Sequence, residues 1–299
     1  MTEPQTISEL ISLAKKECKK KNWKTAIIYL NKAIEIEPNT ANYYCLRGVA
    51  KIYKENIFHP FGNFKTGSDW DDAFKNYKNS SDYQDALEDL AKAIELEPNN
   101  AKWYSWRGYI RGYLSDSQEA VDDYTKAIEI DPNNADFYLK RGWRKRDLGD
   151  YQGAIDDYSK AIEIDPNNAD FYLERGGRKR DLGDYQGAID DYSKAIEIDP
   201  NYCVYDDRAR AKTELGDYQG AIDDLSISIE MDPKNISAYL CRAEIKRELK
   251  DYKGAVEDLT KVKEIRPNAY DRISIGHYKS IIRNGADSKL IKKVMQKAL

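Results

Sequence analysis

Two consecutive stretches of this chain are nearly the same. Residues 135–168 read ADFYLKRGWRKRDLGDYQGAIDDYSKAIEIDPNN, and residues 169–202 read ADFYLERGGRKRDLGDYQGAIDDYSKAIEIDPNY. They differ only at Lys140/Glu174, Trp143/Gly177 and Asn168/Tyr202, which sets a period of 34 residues. A chain made of one short unit copied head to tail packs each copy on its neighbours and folds as a one-dimensional stack. Followed outward, the Ala-Ile…Glu…Pro pattern ends at Pro38, Pro98, Pro132, Pro166, Pro200, Pro233 and Pro267. Seven repeats result: 7–40, 41–100, 101–134, 135–168, 169–201, 202–235 and 236–269. The second carries about 26 extra residues at roughly 55–80, and the fifth is one residue short.

Each repeat reads as two helices. In the fourth, Ala135 to Leu148 has apolar residues at helical spacing and stops at Gly149, which can take the left-handed conformation that closes a helix. Asp150 then supplies an N-cap oxygen for Tyr151 to Ile164, and Pro166 prevents further propagation. Each helix is about 20 Å long, too short to bury its apolar side alone. Charged residues make up 33% of the chain, above the quarter usual for globular domains, so the shared core is thin and the solvated surface large.

The period, with small Gly142, Ala154 and Ala161 at the eighth, twentieth and twenty-seventh positions and Pro166 at the thirty-second, resembles the tetratricopeptide repeat (TPR). Tyr138 stands where that family often has Trp, and Tyr158 at its aromatic position. The resemblance covers residues 7–269. It implies an all-α, right-handed superhelical solenoid of antiparallel helix pairs, whose concave groove binds a peptide or protein segment. Residues 270–299 are expected to form two capping helices, Tyr270 to Arg283 and Ser288 to Leu299. Their seven Lys and Arg against Asp271 and Asp287 would also suit an acidic partner, a membrane surface or RNA.

One departure from the family pattern carries chemistry. The seventh position, usually Leu, is Arg47, Arg107, Arg141, Arg175, Arg208 and Arg242, and the twenty-third is Asp89, Asp123, Asp157, Asp191, Asp224 and Asp258. Repeat one has Leu13 and Tyr29 instead. Both positions lie equally far from the turn, so they sit level on facing helices. An Arg–Asp pair inside each hairpin follows, with Arg141–Asp157 and Arg175–Asp191 in the two near-identical repeats.

By resemblance, the groove is lined from the second, fifth, ninth, twelfth and thirteenth positions of each first helix. The candidates there are Tyr109, Tyr113, Leu139, Trp143, Arg146, Leu173, Gly177, Arg180, Arg210 and Arg247. Aromatic and Arg side chains together are the usual composition of interface hot spots. Trp143 reads either as a ligand anchor, with Gly177 leaving a recess for a partner side chain, or as packing on its neighbour, with Gly177 as drift after duplication. The arginines read either as a ladder for carboxylates or phosphates or as a face neutralised by the adjacent Asp147, Asp181, Glu214 and Glu248. The Lys and Asn pattern with which some members hold the C-terminal carboxylate of Hsp70/Hsp90-type chaperones is not restored in any three-repeat window. The insertion adds Phe58, Phe61, Phe64, Trp70 and Phe74 as a second candidate surface, open to a role in binding or in patching the interrupted helix junction.

Other function classes lose support on composition. A net charge of −4 is no footprint for duplex nucleic acid. The four cysteines Cys18, Cys45, Cys203 and Cys241 form no metal or disulfide pattern, and His59 and His277 are the whole histidine complement. No apolar run reaches membrane-spanning length, and no phosphate-cradling glycine loop, nucleophile signature or paired metal ligand occurs. The expectation is a cytoplasmic, cofactor-free, non-catalytic interaction scaffold with a protein or peptide partner. The alternatives are a single-stranded RNA-binding repeat and a self-assembling structural module.

Overall fold

The computed structural model describes residues 6–54, 81–113, 116–201 and 204–266. The aromatic insertion with Phe58, Phe61, Phe64, Trp70 and Phe74, and the expected capping helices of 270–299, lie outside them. Among the described residues there are fourteen α-helices and no strand. The chain divides between Ile164 and Asp165 into two compact units.

In the first unit the helices pair as α1 (Ile7–Lys19) with α2 (Trp23–Ile36), α3 (Ala41–Lys54) with α4 (Ser81–Leu96), α5 (Ala101–Tyr113) with α6 (Ser117–Ile130), and α7 (Ala135–Asp147) with α8 (Tyr151–Ile164). In the second unit the pairs are α9 (Ala169–Asp181) with α10 (Tyr185–Ile198), α11 (Tyr205–Glu214) with α12 (Tyr218–Met231), and α13 (Ile236–Glu248) with α14 (Tyr252–Ile265). Within each unit every hairpin stacks on the next. In the first, α5 also touches both α3 and α7, so successive first helices crowd together on one side.

The turns follow from local chemistry. Gly149 has φ +80°, open to glycine at no steric cost, and Asp150 Oδ1 then accepts a 2.9 Å bond from the Gly153 N–H. Gly183 and Gly216 repeat this geometry, whereas Lys21 and Lys250 hold left-handed φ values of 59° and 64° with a side chain attached. The core of each unit is built from matched positions. The twenty-fourth residue of each repeat (Leu30, Leu90, Tyr124, Tyr158, Tyr192, Leu225 and Leu259) is fully buried, and the twentieth is an alanine with no exposed surface. The eighth position makes room for these side chains. Beside the Gly142 Cα, ring atoms of Tyr158 come within 3.0 Å of where a Cβ would lie.

Candidate functional site

Three kinds of first-helix residue can be told apart by what they touch. The arginines at the seventh position point inward across the hairpin. Arg141 donates from Nε to Asp157 Oδ2 at 2.9 Å and from Nη2 to Oδ1 at 2.6 Å, a two-pronged contact that matches guanidinium to carboxylate. The other five pairs, Arg47–Asp89, Arg107–Asp123, Arg175–Asp191, Arg208–Asp224 and Arg242–Asp258, have the same form. All six aspartates are buried. A second cation one helical turn on completes each site: Lys51, Arg111, Lys145, Lys179, Lys212 or Lys246 lies 2.7–2.9 Å from the same carboxylate.

The guanidinium carbons also sit 5.5–5.7 Å from the ring centres of Tyr44, Tyr104, Tyr138, Tyr172, Tyr205 and Tyr239. Four of the arginines reach back to the preceding repeat. Arg47 donates to Asn31, Arg141 to Thr125, Arg208 to Ser193 and Arg242 to Ser226, at 2.9–3.1 Å. These clusters are saturated and buried. They hold the stack and offer nothing to a ligand.

The groove arginines are occupied too. Arg146 pairs with Asp147 at 3.1 Å. Arg180 pairs with Asp207 at 2.6 Å, Arg210 lies 3.6 Å from the same carboxylate, and Arg247 is held by Glu248 and Glu244. Each positive charge expected to face a partner therefore already has a carboxylate beside it. Leu139 is only 7% exposed and belongs to the packing between helices, which removes it from an open binding surface. Leu173 is half-buried and Gly177 buried, where an added Cβ would meet only the Tyr192 hydroxyl at 3.9 Å among the described residues. Trp143 is half-buried, and its indole Nε1 is buried with no hydrogen-bond partner among the described residues.

The open chemistry lies in the first unit, on the side where the first helices crowd. A cavity of about 420 Å³ is lined by Tyr53, Lys102, Ser105, Trp106, Tyr109, Asn134, Asp136, Phe137 and Lys140. Three of its lining residues, Tyr53, Trp106 and Tyr109, belong to a run of aromatic contacts that extends to Trp23 beyond it. Trp23 stacks on Tyr53 with ring centres 5.0 Å apart, Tyr53 and Tyr109 share a hydrogen bond, and Trp106 meets Tyr109 edge-on at 5.9 Å. Burial pushes the Tyr109 hydroxyl up to about 12, so it is a neutral hydrogen-bonding group at physiological pH. Tyr113 is half-buried against the same core.

Tyr109 came from counting positions in the third repeat. The same count applied to the second repeat gives Tyr53 at its thirteenth position, ahead of the insertion. Trp106 and Lys140 occupy the sixth position, outside the counted set. Among the described residues, no group of three or more His, Cys, Asp or Glu side chains could hold a metal ion, and no helix is long and apolar enough to cross a membrane.

Two repeat-family profiles match the sequence. One described as TPR repeat covers residues 114–143 and 144–177, and one described as Tetratricopeptide repeat covers 169–202 and 236–269. No curated protein matches it. Among solved structures, the C-terminal part of a TPR repeat-containing protein from Cytophaga hutchinsonii is similar at TM-score 0.69 and 19% identity, over 89% of this chain and 98% of that one. A tetratricopeptide repeat protein from Parabacteroides merdae is similar at TM-score 0.58 and 18% identity, over 99% of both chains. YrrB, described as a TPR protein with an unusual peptide-binding site, is similar at TM-score 0.56 and 22% identity, over 65% of this chain and 99% of that one. Likeness at these identities concerns the fold, an all-α stack of antiparallel helix pairs.

Proposed function

Because the chain is a tetratricopeptide repeat protein of about seven repeats, we propose that it serves as a non-catalytic scaffold holding a peptide segment of another protein against its first-helix face. The observation that carries this reading is the aromatic cavity between Tyr53 and Lys140. It is a concave site in which four aromatic residues meet five polar or charged ones, of the size that small ligands and side-chain clusters fill. The saturated arginines argue against an RNA-binding face, which needs unpaired positive charge along a backbone track. A cytoplasmic setting belongs to the same reading, on a sequence whose four cysteines form no disulfide pattern. We take the repeat boundaries to be those counted from the period.

Quantitative affinity capture from source-cell lysate tests the reading, with wild type beside a Tyr109→Ala, Trp143→Ala, Arg180→Glu variant that keeps its helical circular dichroism. Proteins retained by wild type and lost by the variant place binding on the first-helix face. Equal retention by both moves it elsewhere on the chain, and retention of nucleic acid instead of protein refutes a protein-binding role.

A further inference from the structure

The 420 Å³ cavity does not end at its own rim. A second cavity, of about 610 Å³, is lined by Glu97, Pro98, Asn99, Asn100, Ala101, Lys102, Ile130, Asp131, Asn134 and Phe137. The two share Lys102, Asn134 and Phe137, so they form one track running from the first-helix face out over the turns that precede α5 and α7.

The charges along this track are unequal at its two ends. At the inner end Lys102 is exposed and has no carboxylate beside it among the described residues, while Lys140 lies 2.7 Å from Asp136 and 5.9 Å from the Tyr109 ring centre. Two ammoniums against one carboxylate leave the aromatic cavity with one net positive charge. The outer end carries Glu97 and Asp131. Glu97 accepts bonds from two neutral donors, Asn100 Nδ2 at 2.9 Å and Trp103 Nε1 at 3.0 Å, and has no cation beside it among the described residues. Asp131 is exposed on the turn. Between the ends, Asn134 uses its side-chain oxygen to cap the Asp136 N–H and leaves its amide N–H groups to a passing backbone.

The charge at the inner end is specific to this place in the array. Lys140 is one of three differences between two otherwise identical repeats, and Glu174 replaces it in the other. The repeat fold therefore does not require a lysine there.

We infer that this track selects a partner segment of defined charge order. A large apolar or aromatic side chain enters among Tyr53, Trp106, Tyr109 and Phe137, a neighbouring acidic side chain is held by Lys102 and Lys140, and a basic residue farther along lies over Glu97 and Asp131. Opposite charges at the two ends also fix the direction in which the segment lies, because the reverse threading sets like charges together at both. The inference rests on the scaffold reading and specifies its partner as an internal acidic-aromatic motif of a polypeptide.

Selection of phage-displayed random nonapeptides on the full chain tests it, followed by fluorescence anisotropy with synthetic copies of the enriched peptides. The expected winners carry Asp or Glu beside an aromatic or large aliphatic residue, with Lys or Arg at one consistent side. A Lys102→Glu, Lys140→Glu variant, which the fold accommodates at least at the second position since Glu174 stands there in the next repeat, is expected to bind them roughly tenfold or more weakly. Its own selection is expected to favour Lys or Arg beside the aromatic residue. Peptides that lose binding on Tyr109→Ala, Trp143→Ala, Arg180→Glu but not on the double charge reversal overturn the charge-ordered track while leaving the scaffold reading intact. A selection that enriches no peptide also overturns the track, and the lysate capture then judges the scaffold reading by itself.

Discussion

Gly142→Ala separates packing from propensity in a single methyl group. In the interior of an exposed helix this change stabilises by about 1 kcal/mol, because alanine has less backbone freedom to lose. Here the new Cβ would stand 2.9 Å from Tyr158 Cδ1 and 3.0 Å from Cζ, and closer still to Cε1. The ring has no exposed surface and nowhere to withdraw without moving a neighbour. Overpacking of this kind costs about 1–3 kcal/mol, so after the propensity gain the net expectation is a loss of up to about 2 kcal/mol. In a Tyr158→Leu background the ring edge is gone and the same methyl should become neutral or favourable. Nature has made that pairing three times in this chain: Ala14 goes with Leu30, Ala209 with Leu225, and Ala243 with Leu259, at the matching positions. The double-mutant cycle should therefore show a coupling of about 2 kcal/mol in urea unfolding followed by circular dichroism, with constant m-values checked first. Gly176→Ala should cost less, because its nearest Tyr192 atoms lie at 2.9 and 3.1 Å. Stabilisation by Gly142→Ala in the wild-type background, or an equal cost in both backgrounds, would refute the reasoning.

Asp157→Ala strands two cations, Arg141 and Lys145, in a half-buried site and should cost about 3–5 kcal/mol, whereas Arg141→Ala leaves Lys145 on the carboxylate and should cost less; urea midpoints order the two. Lys250→Gly relieves a left-handed residue with a side chain and should raise stability by about 1 kcal/mol, read as an upward shift in thermal midpoint. Asp150→Ala removes the oxygen that caps the Gly153 N–H and should lower stability by about 1 kcal/mol, with faster amide exchange confined to the first turn of α8. The Tyr109 hydroxyl, held at about 12 by burial against an ordinary value of 10, keeps its proton more tightly in the folded chain. Its contribution is fully present below pH 10 and is lost as pH rises through about 12, so Tyr109→Phe should flatten the alkaline limb of the stability profile; an unchanged limb counts against it.

The fold was legible because its determinants are local and repeated. A period read from two near-identical stretches, a glycine where a helix must close, an aspartate where the next begins and a proline where it must stop are all contained within one unit. The level placement of Arg141 and Asp157 needs only counting outward from Gly149. The second cation on each aspartate was not legible, since a lysine at the eleventh position looks like any other on a charged surface until rotamers bring it to 2.9 Å from Asp157. The size match between the eighth and twenty-fourth positions is likewise a statement about facing atoms. The cavity was only partly legible. Tyr109, Tyr53, Lys102 and Asp136 follow from position within a repeat, whereas Phe137 and Trp106 lie outside the counted positions. Leu139 fails as a groove residue because a position inherited from a family pattern carries no information on what its own neighbour covers.

The hydrogen bonds from Arg47, Arg141, Arg208 and Arg242 to the repeat before them have a bearing on how such an array grows. Most repeats carry a guanidinium that looks backward and a polar side chain at the twenty-fifth position that looks forward, the exceptions being Leu13 in the first and Ala91 in the second, so the joint is written into the cassette itself rather than shared between two specialised partners. Duplicating 34 residues in frame duplicates a plug together with its socket, and the new copy arrives able to mate on both sides. Lengthening the array therefore demands no compensating change elsewhere, and the surface side chains, such as Lys140 against Glu174, are left free to diverge toward whatever each new segment of face is to hold.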